Sequence, residues 1–223
     1  MFRSFRLGRI AGFPIDVNPS FLLLLAIVAL TMGGLAGVIA VLIAFASVIA
    51  HELGHALVAR RLHVRVAGIE LHFFGGAAKI VDQPRTPRDE IAIAAAGPAV
   101  SFAIAGVSLL LAQVALAPLF GGLAWINLLL GAFNLIPAFP MDGGRILRAL
   151  LTPRLGHMRA TEVAVVLARG FAVALGIYGL FTFTLYLMAL GVLLWIMSTA
   201  ELQVARAVAL PSSRVRWTRG NFI

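Results

Sequence analysis

Residues 34–61, GLAGVIAVLIAFASVIAHELGHALVARR, decide the fold of this chain, because a long apolar run carries two histidines and a glutamate near its end. Such a run can cross a bilayer as a helix, which takes about 20 mostly apolar residues. Residues four apart share one face of a helix, so His51 and His55 can offer ring nitrogens to one metal ion beside Glu52. The pattern indicates a zinc hydrolase site within a membrane-spanning helix.

A different interpretation of the two histidines is that their rings only form hydrogen bonds between packed helices. A single histidine in a span is compatible with that role. Ionisable side chains at membrane depth are costly and usually functional. The complete pattern of His51, Glu52 and His55 therefore favours metal binding over simple packing.

The overall composition places this helix in a polytopic membrane protein. Of the 223 residues, 61% are hydrophobic and only 12% are charged, whereas roughly a quarter are charged in soluble domains. The mean hydropathy is +1.00. We predict an all-α polytopic membrane protein with about six transmembrane helices, at roughly residues 20–32, 34–59, 91–117, 121–141, 162–179 and 180–205. These form one domain over residues 1–206, followed by a short cytoplasmic tail at 207–223.

The distribution of basic residues indicates membrane orientation and not a nucleic-acid partner. The formal net charge is +9, but the basic residues cluster before the first predicted helix and after the second, fourth and sixth. The connections on the opposite side carry no charge. By the positive-inside rule, both termini are expected in the cytoplasm. Only Arg169 falls within a predicted span, where a partner, a polar cavity or snorkelling would offset its cost.

A third metal ligand is needed, because catalytic zinc takes three protein ligands and keeps one position open. Asp142 lies in residues 134–144, NLIPAFPMDGG, at a predicted depth comparable with His55. Pro137 and Pro140 interrupt the backbone there, and irregular backbone at membrane depth is tolerated where it is buried or lines a polar cavity. Asp142 could instead cap a short following helix. The presence of the two-histidine helix favours the ligand role.

Three motifs, in this order, resemble the site-2 proteases, the intramembrane zinc metalloproteases of peptidase family M50. They are His51–His55 in the second helix, Ala96-Gly97-Pro98 in the third, and Asn-x-x-Pro-x-x-Pro-x-Asp-Gly from Asn134 in the fourth. Residues 8–15 and the Phe74-Gly75-Gly76 segment match as well. These motifs extend the resemblance over almost all of residues 1–150. The rest of the chain resembles the family only in its hydropathy.

The resemblance implies one zinc ion per chain, and it implies roles for individual residues. The implied zinc ligands are His51, His55 and Asp142. Glu52 is the implied general base, and Asn134 is a polar group near the reacting carbonyl. The implied reaction is hydrolysis of peptide bonds within or near transmembrane segments of membrane proteins, known as regulated intramembrane proteolysis.

Substrate and location are also implied by the resemblance. The expected substrate is a single-span membrane protein, such as an anti-sigma factor or a membrane-tethered regulator, in the plasma membrane of a prokaryote. Many relatives carry a PDZ domain or a pair of CBS domains. The interval between His55 and Asp142 holds only a hairpin and two helices, so we expect the compact form without a PDZ domain. The sequence leaves open whether the chain forms a homo-oligomer.

Residues 64–82 predict an interfacial β-hairpin, with alternating apolar positions and Gly75-Gly76 as a turn dipeptide. A further strand segment is predicted at 5–17. A helical substrate must unwind before cleavage, and an exposed sheet edge can hold an extended segment by strand addition. The alternative is an ordinary interfacial hairpin.

Two other classes of function compete with proteolysis. A metal transporter would need polar positions along a whole transmembrane path, but the outer halves of the predicted helices are almost purely aliphatic. A catalytically inactive scaffold that binds membrane proteins would be expected to lose Glu52 or a ligand. Here every motif position is filled, and the sequence therefore favours an enzyme.

Overall fold

A computed structural model describes residues 4–31, 34–72, 75–114 and 116–209, with the side chains of residues 208 and 209 excluded. Within these ranges the chain forms four strands and seven helices. In chain order they are β1 (Phe5–Ile10), β2 (Phe13–Val17), α1 (Pro19–Thr31), α2 (Leu35–Arg61), β3 (Val66–His72), β4 (Gly75–Ile80), α3 (Pro87–Ala112), α4 (Ala117–Asn134), α5 (Asp142–Leu155), α6 (His157–Phe181) and α7 (Leu185–Ala209).

Five of the described helices, α2, α3, α4, α6 and α7, are long and apolar enough to cross a membrane. The 13-residue helix α1 is also apolar but shorter. The prediction of about six apolar helices with a small sheet is therefore confirmed, including the short first helix. Helix α3 begins with a capping box at Thr86, whose side chain accepts a hydrogen bond from the Asp89 amide, with Pro87 at the first helical position.

The predicted span at 121–141 is wrong at its end, because α4 stops at Asn134. Pro137 and Pro140 follow, and proline has no backbone N–H to continue a helix. A separate helix, α5, then begins at Asp142. Asp142 is thus the first residue of α5, and Met141 occupies the N-cap position, so Asp142 is not the cap.

The strands form one sheet in the order β1-β2-β3-β4. Strands β1 and β2 are antiparallel, β2 and β3 are parallel, and β3 and β4 are antiparallel. Gly75 and Gly76 are the first two residues of β4, where they pair with His72 and Leu71 of β3. The prediction of a turn at these glycines is therefore wrong. Phe74 lies outside the described residues.

Strand β4 packs directly against α2, the helix that carries the two histidines. A Cβ placed on Gly76 would lie 2.8 Å from the Val48 side chain and 3.3 Å from that of Glu52. This close approach needs glycine, because a larger residue would push the strand away from the helix. The sheet is therefore held beside Glu52.

The second half of the segment between α4 and α5 is buried in protein, whereas Leu135 and Pro137 earlier in it are exposed. Phe139 is fully buried and Ala138 nearly so, and both belong to a hydrophobic cluster with Ala164 and Ala168 of α6 and Leu202 of α7. Irregular backbone at membrane depth requires such burial. This packing fixes the point at which α5 begins.

Candidate metal centre

Three side chains from two helices converge at one point. The Nε2 atoms of His51 and His55 lie 3.1 Å apart, and the Oδ2 atom of Asp142 lies 3.2 Å from each of them. All three residues are buried, with relative exposures of 2%, 6% and 9% for His51, His55 and Asp142. The structure therefore brings together the three residues that the sequence predicted as ligands.

The spacing of these atoms fits a metal ion of the size of zinc. Bonds of about 2.0–2.1 Å in a tetrahedral arrangement place neighbouring ligand atoms about 3.3 Å apart. The observed separations of 3.1 and 3.2 Å are close to this value. A donor set of two imidazoles and one carboxylate is also one that catalytic zinc uses.

Gly97 in α3 gives the imidazoles their space. A Cβ at this position would lie 2.6 Å from His51 Nε2 and would collide with His55 Nε2. Only glycine lets the α3 backbone approach both ring nitrogens. In the sequence Gly97 is recognisable only as part of a motif, and the reason for glycine is visible only in the packing of α3 on α2.

The second ring nitrogen of each histidine has its own partner. His55 Nδ1 donates to the carbonyl oxygen of Ile93 at 2.7 Å. Because a carbonyl only accepts hydrogen bonds, this bond puts the ring proton on Nδ1 and leaves the Nε2 lone pair free. His51 Nδ1 lies 2.9 Å from the hydroxyl oxygen of Ser101, which is fully buried. Such partners orient metal-binding histidines.

Glu52 lies beside the three candidate ligands. One ligand atom from each of His51, Glu52 and His55 falls within 4.8 Å of the others. Glu52 Oε2 accepts a hydrogen bond from the backbone N–H of Ala78 in β4 at 2.9 Å. Glu52 is half-buried. Its carboxylate lies close to both histidines and bonds to β4, so it connects the candidate metal site with the sheet.

The structure places Asn134 at the last residue of α4, half-buried. Its side-chain amide donates to the Leu130 carbonyl oxygen of its own helix at 2.9 Å. The role of Asn134 near a reacting carbonyl stays a prediction. Ser101 and the carbonyl of Ile93 were not predicted from the sequence. The only available signal for Ser101 was a hydroxyl in the apolar third helix, shortly after the Ala96-Gly97-Pro98 motif.

Comparison with known proteins agrees with this geometry. The model of the family described as "Peptidase family M50" matches residues 38–117 and 110–177. The solved structure of the site-2 protease from Methanocaldococcus jannaschii matches with a TM-score of 0.72 at 35% identity, covering 90% of this chain and 95% of that chain.

Curated relatives agree as well. A zinc metalloprotease of Methanocaldococcus jannaschii is 35% identical, covering 90% of this chain and 61% of its own length. Stage IV sporulation protein FB of Bacillus subtilis is 29% identical, covering 78% of this chain and 60% of its own length. The chain thus spans between about half and three fifths of the length of the curated relatives that match it over most of its own length.

The resemblance seen in the motifs is therefore confirmed. The five helices that are long and apolar enough to span a membrane agree with the likeness to a site-2 protease. The chain belongs to peptidase family M50, shares the site-2 protease fold, and is a multi-pass integral membrane protein.

Proposed function

We propose that this chain is a zinc metalloendopeptidase that hydrolyses peptide bonds within or near transmembrane segments of other membrane proteins. The observation that carries the proposal is the convergence of His51 Nε2, His55 Nε2 and Asp142 Oδ2 to within 3.2 Å of one another. The clearance provided by Gly97 supports it. Because the site is buried between helices long enough to span a membrane, hydrolysis would take place inside the bilayer.

One zinc ion per chain would be held by His51, His55 and Asp142. When bound, zinc lowers the pKa of water and polarises a carbonyl group. Ser101 and the Ile93 carbonyl hold the two imidazoles with Nε2 facing the site. Both rings are therefore oriented before the metal binds, and less conformational entropy is lost on binding.

Glu52 would act as the general base. Its carboxylate takes a proton from water and then delivers it to the leaving amine. The Ala78 N–H bonds to Oε2 of Glu52, so Oε1 is the oxygen that we assign to proton transfer. Asn134 would donate to the developing oxyanion, after its side chain turns away from Leu130. Full activity of Asn134→Ala would remove this role.

The free edge of β4 would bind the substrate in an extended conformation. The N–H of Ala78 donates to Glu52, and no further strand is paired to β4 among the described residues. A segment added to this edge would run next to the catalytic carboxylate, with backbone hydrogen bonds supplying affinity. Main-chain recognition of this kind requires the substrate helix to unwind.

The expected substrate is a single-span membrane protein, such as an anti-sigma factor or another membrane-tethered regulator. One relative is named for a stage of sporulation, which agrees with a regulatory substrate. The location is the plasma membrane of a prokaryote, with both termini in the cytoplasm. The pair Arg60 and Arg61 at the end of α2 then lies at the cytoplasmic surface.

The test is mass-spectrometric mapping of new peptide termini in membranes that express the wild type or Glu52→Gln. This variant keeps the size of the side chain and leaves the three proposed ligands intact. We expect termini inside transmembrane segments with the wild type only. Identical termini in the two samples, with zinc bound and a span-containing substrate present, would favour the scaffold over the protease.

A further inference from the structure

Arg148 is a nearly buried cation on α5, the helix that begins with Asp142. Its side chain is 14% exposed. The Nε atom donates to Oε1 of Glu90 at 2.8 Å, and the Nη2 atom donates to the same oxygen. Glu90 is itself only 8% exposed and lies in the first turn of α3. Arg148 therefore joins the helix of the third ligand to the start of α3.

The α3 end of this pair lies close to the histidines. Ile93 is about one helical turn after Glu90, and its carbonyl accepts the Nδ1 proton of His55. Gly97, one turn further along α3, provides the clearance for both histidine rings. Arg148 thus binds α3 at Glu90, about one turn before the residues of α3 that contact the histidines.

Arg148 makes two more contacts, which connect α5 to other parts of the protein. Its guanidinium carbon lies 5.1 Å from the ring centre of Phe139, the buried residue shortly before Asp142. Its Nη1 atom lies 3.9 Å from Oε2 of Glu201 in α7. One side chain therefore contacts α3, α7 and the segment that leads into the third ligand.

We propose that Arg148 is a positioning residue for the metal site: through Glu90, Glu201 and Phe139 it fixes Asp142 at binding distance from His51 and His55. This inference rests on the proposed function, since it takes these three side chains as the ligands. Asp142 is the only one of the three that α2 does not carry. Its distance from the histidines therefore depends on how α5 is packed against the rest of the protein.

The chemistry of the contacts requires arginine. A guanidinium is planar, presents donors in several directions and stacks on aromatic rings, whereas an ammonium is a compact point charge. Lysine at this position could reach one carboxylate but could not also stack on Phe139. Removing the cation would leave Glu90 buried with an uncompensated charge, which is strongly unfavourable. A change at Arg148 should consequently let α5 shift with respect to α3.

The experiment measures zinc affinity of the full chain in detergent by competition with a chromophoric chelator. The variants are Arg148→Met, Arg148→Lys and Glu90→Gln. The matched control is Arg145→Met, which removes a cation one turn earlier on α5. Arg145 is 39% exposed and approaches Glu201 at 4.0 Å, as Arg148 does at 3.9 Å, so the comparison isolates the contacts of Arg148 with Glu90 and Phe139. Thermal unfolding of the metal-free proteins is recorded in parallel, and all affinities are measured well below the unfolding temperature.

We expect Arg148→Met to weaken zinc binding by about tenfold or more, the range found for groups that orient metal ligands. Arg148→Lys should restore part of the affinity, and Arg145→Met should bind zinc as the wild type does. A purely structural role would lower the unfolding temperature of Arg148→Met and leave the zinc affinity of the folded protein unchanged. That result would overturn the inference.

Two further outcomes have defined meanings. If Arg148→Met does not fold, Glu90→Gln decides the question, because it keeps the shape of the side chain and removes its charge; wild-type zinc affinity in Glu90→Gln would overturn the inference. If the wild type itself binds no zinc, while His51→Ala behaves identically, the proposed function has failed. Failure of the function is thereby distinguished from failure of the role of Arg148.

Discussion

Replacing Gly97 by alanine should disable the metal site while leaving the fold intact. The added Cβ would lie 2.6 Å from His51 Nε2, and it would overlap His55 Nε2. Ordinary contact begins at 3.4 Å, so relieving the His51 contact alone takes a displacement of about 0.8 Å. Metal sites tolerate deviations of only about 0.2 Å in ligand distances.

The magnitude follows from this displacement. A misplacement of about 1 Å near reacting groups costs on the order of 100-fold in rate, so we expect Gly97→Ala to lose at least that factor in proteolysis. Zinc affinity should fall with it, because both imidazole nitrogens are displaced. Alanine favours a helix over glycine by about 1 kcal/mol, so backbone propensity gives no reason for the variant to unfold.

The assay compares zinc affinity and the yield of new peptide termini for wild type, Gly97→Ala and Gly106→Ala. Gly106 is the matched control, since it lies in the same helix and a Cβ there meets no atom within 4 Å. The control should equal the wild type in both measurements. Wild-type zinc affinity in Gly97→Ala would refute the argument that glycine is required here for clearance.

Three further predictions concern single side chains. Ser101→Ala removes the partner of His51 Nδ1 and should weaken zinc binding by about 10–100-fold, measured by chelator competition, while Ser101→Thr, which keeps the hydroxyl, should lose less. Asp142→Asn should reduce bound zinc well below one ion per chain by elemental analysis after gel filtration; unchanged zinc content would exclude Asp142 as a ligand. Outside the membrane, the hydrogen bonds from Arg65 lower the pKa of Asp82 from 3.8 to about 2, so this pair persists above pH 3.8 and is lost as the pH falls through about 2. In Arg65→Gln the pKa of Asp82 should rise towards 3.8 in a carbon-13 NMR titration, and an unchanged value would contradict the assigned cause.

Sequence alone could predict the two-histidine helix, because the placement of both histidines follows from local rules. The four-residue spacing of His51 and His55 puts them on one face of any helix. The apolar runs likewise predict the six apolar helices, of which five are long enough to span a membrane. These features depend on neighbours in the sequence and not on how the helices pack.

The partners of the histidines could not be predicted in this way. Ser101 is separated from His51, and Ile93 from His55, by long stretches of chain, and the contacts depend on how α3 rotates against α2. The Ile93 partner is a backbone carbonyl, so its residue type gives no signal at all. The end of α4 was predicted too late because hydropathy continues past Asn134, whereas Pro137 and Pro140 decide the backbone.

The two halves of the site should consequently differ in how mutation affects them. His51 and His55 are placed by one helix, so removing either imidazole would remove a proposed ligand outright. The position of Asp142 depends instead on several contacts around the start of α5. A Cβ at Gly144 would lie 2.7 Å from the backbone of Ala138 and Phe139, which shows how tightly this segment folds onto the helix. Substitutions that loosen such contacts should give graded zinc affinities, because they change the distance from the carboxylate to the histidines while its ligand atoms remain present.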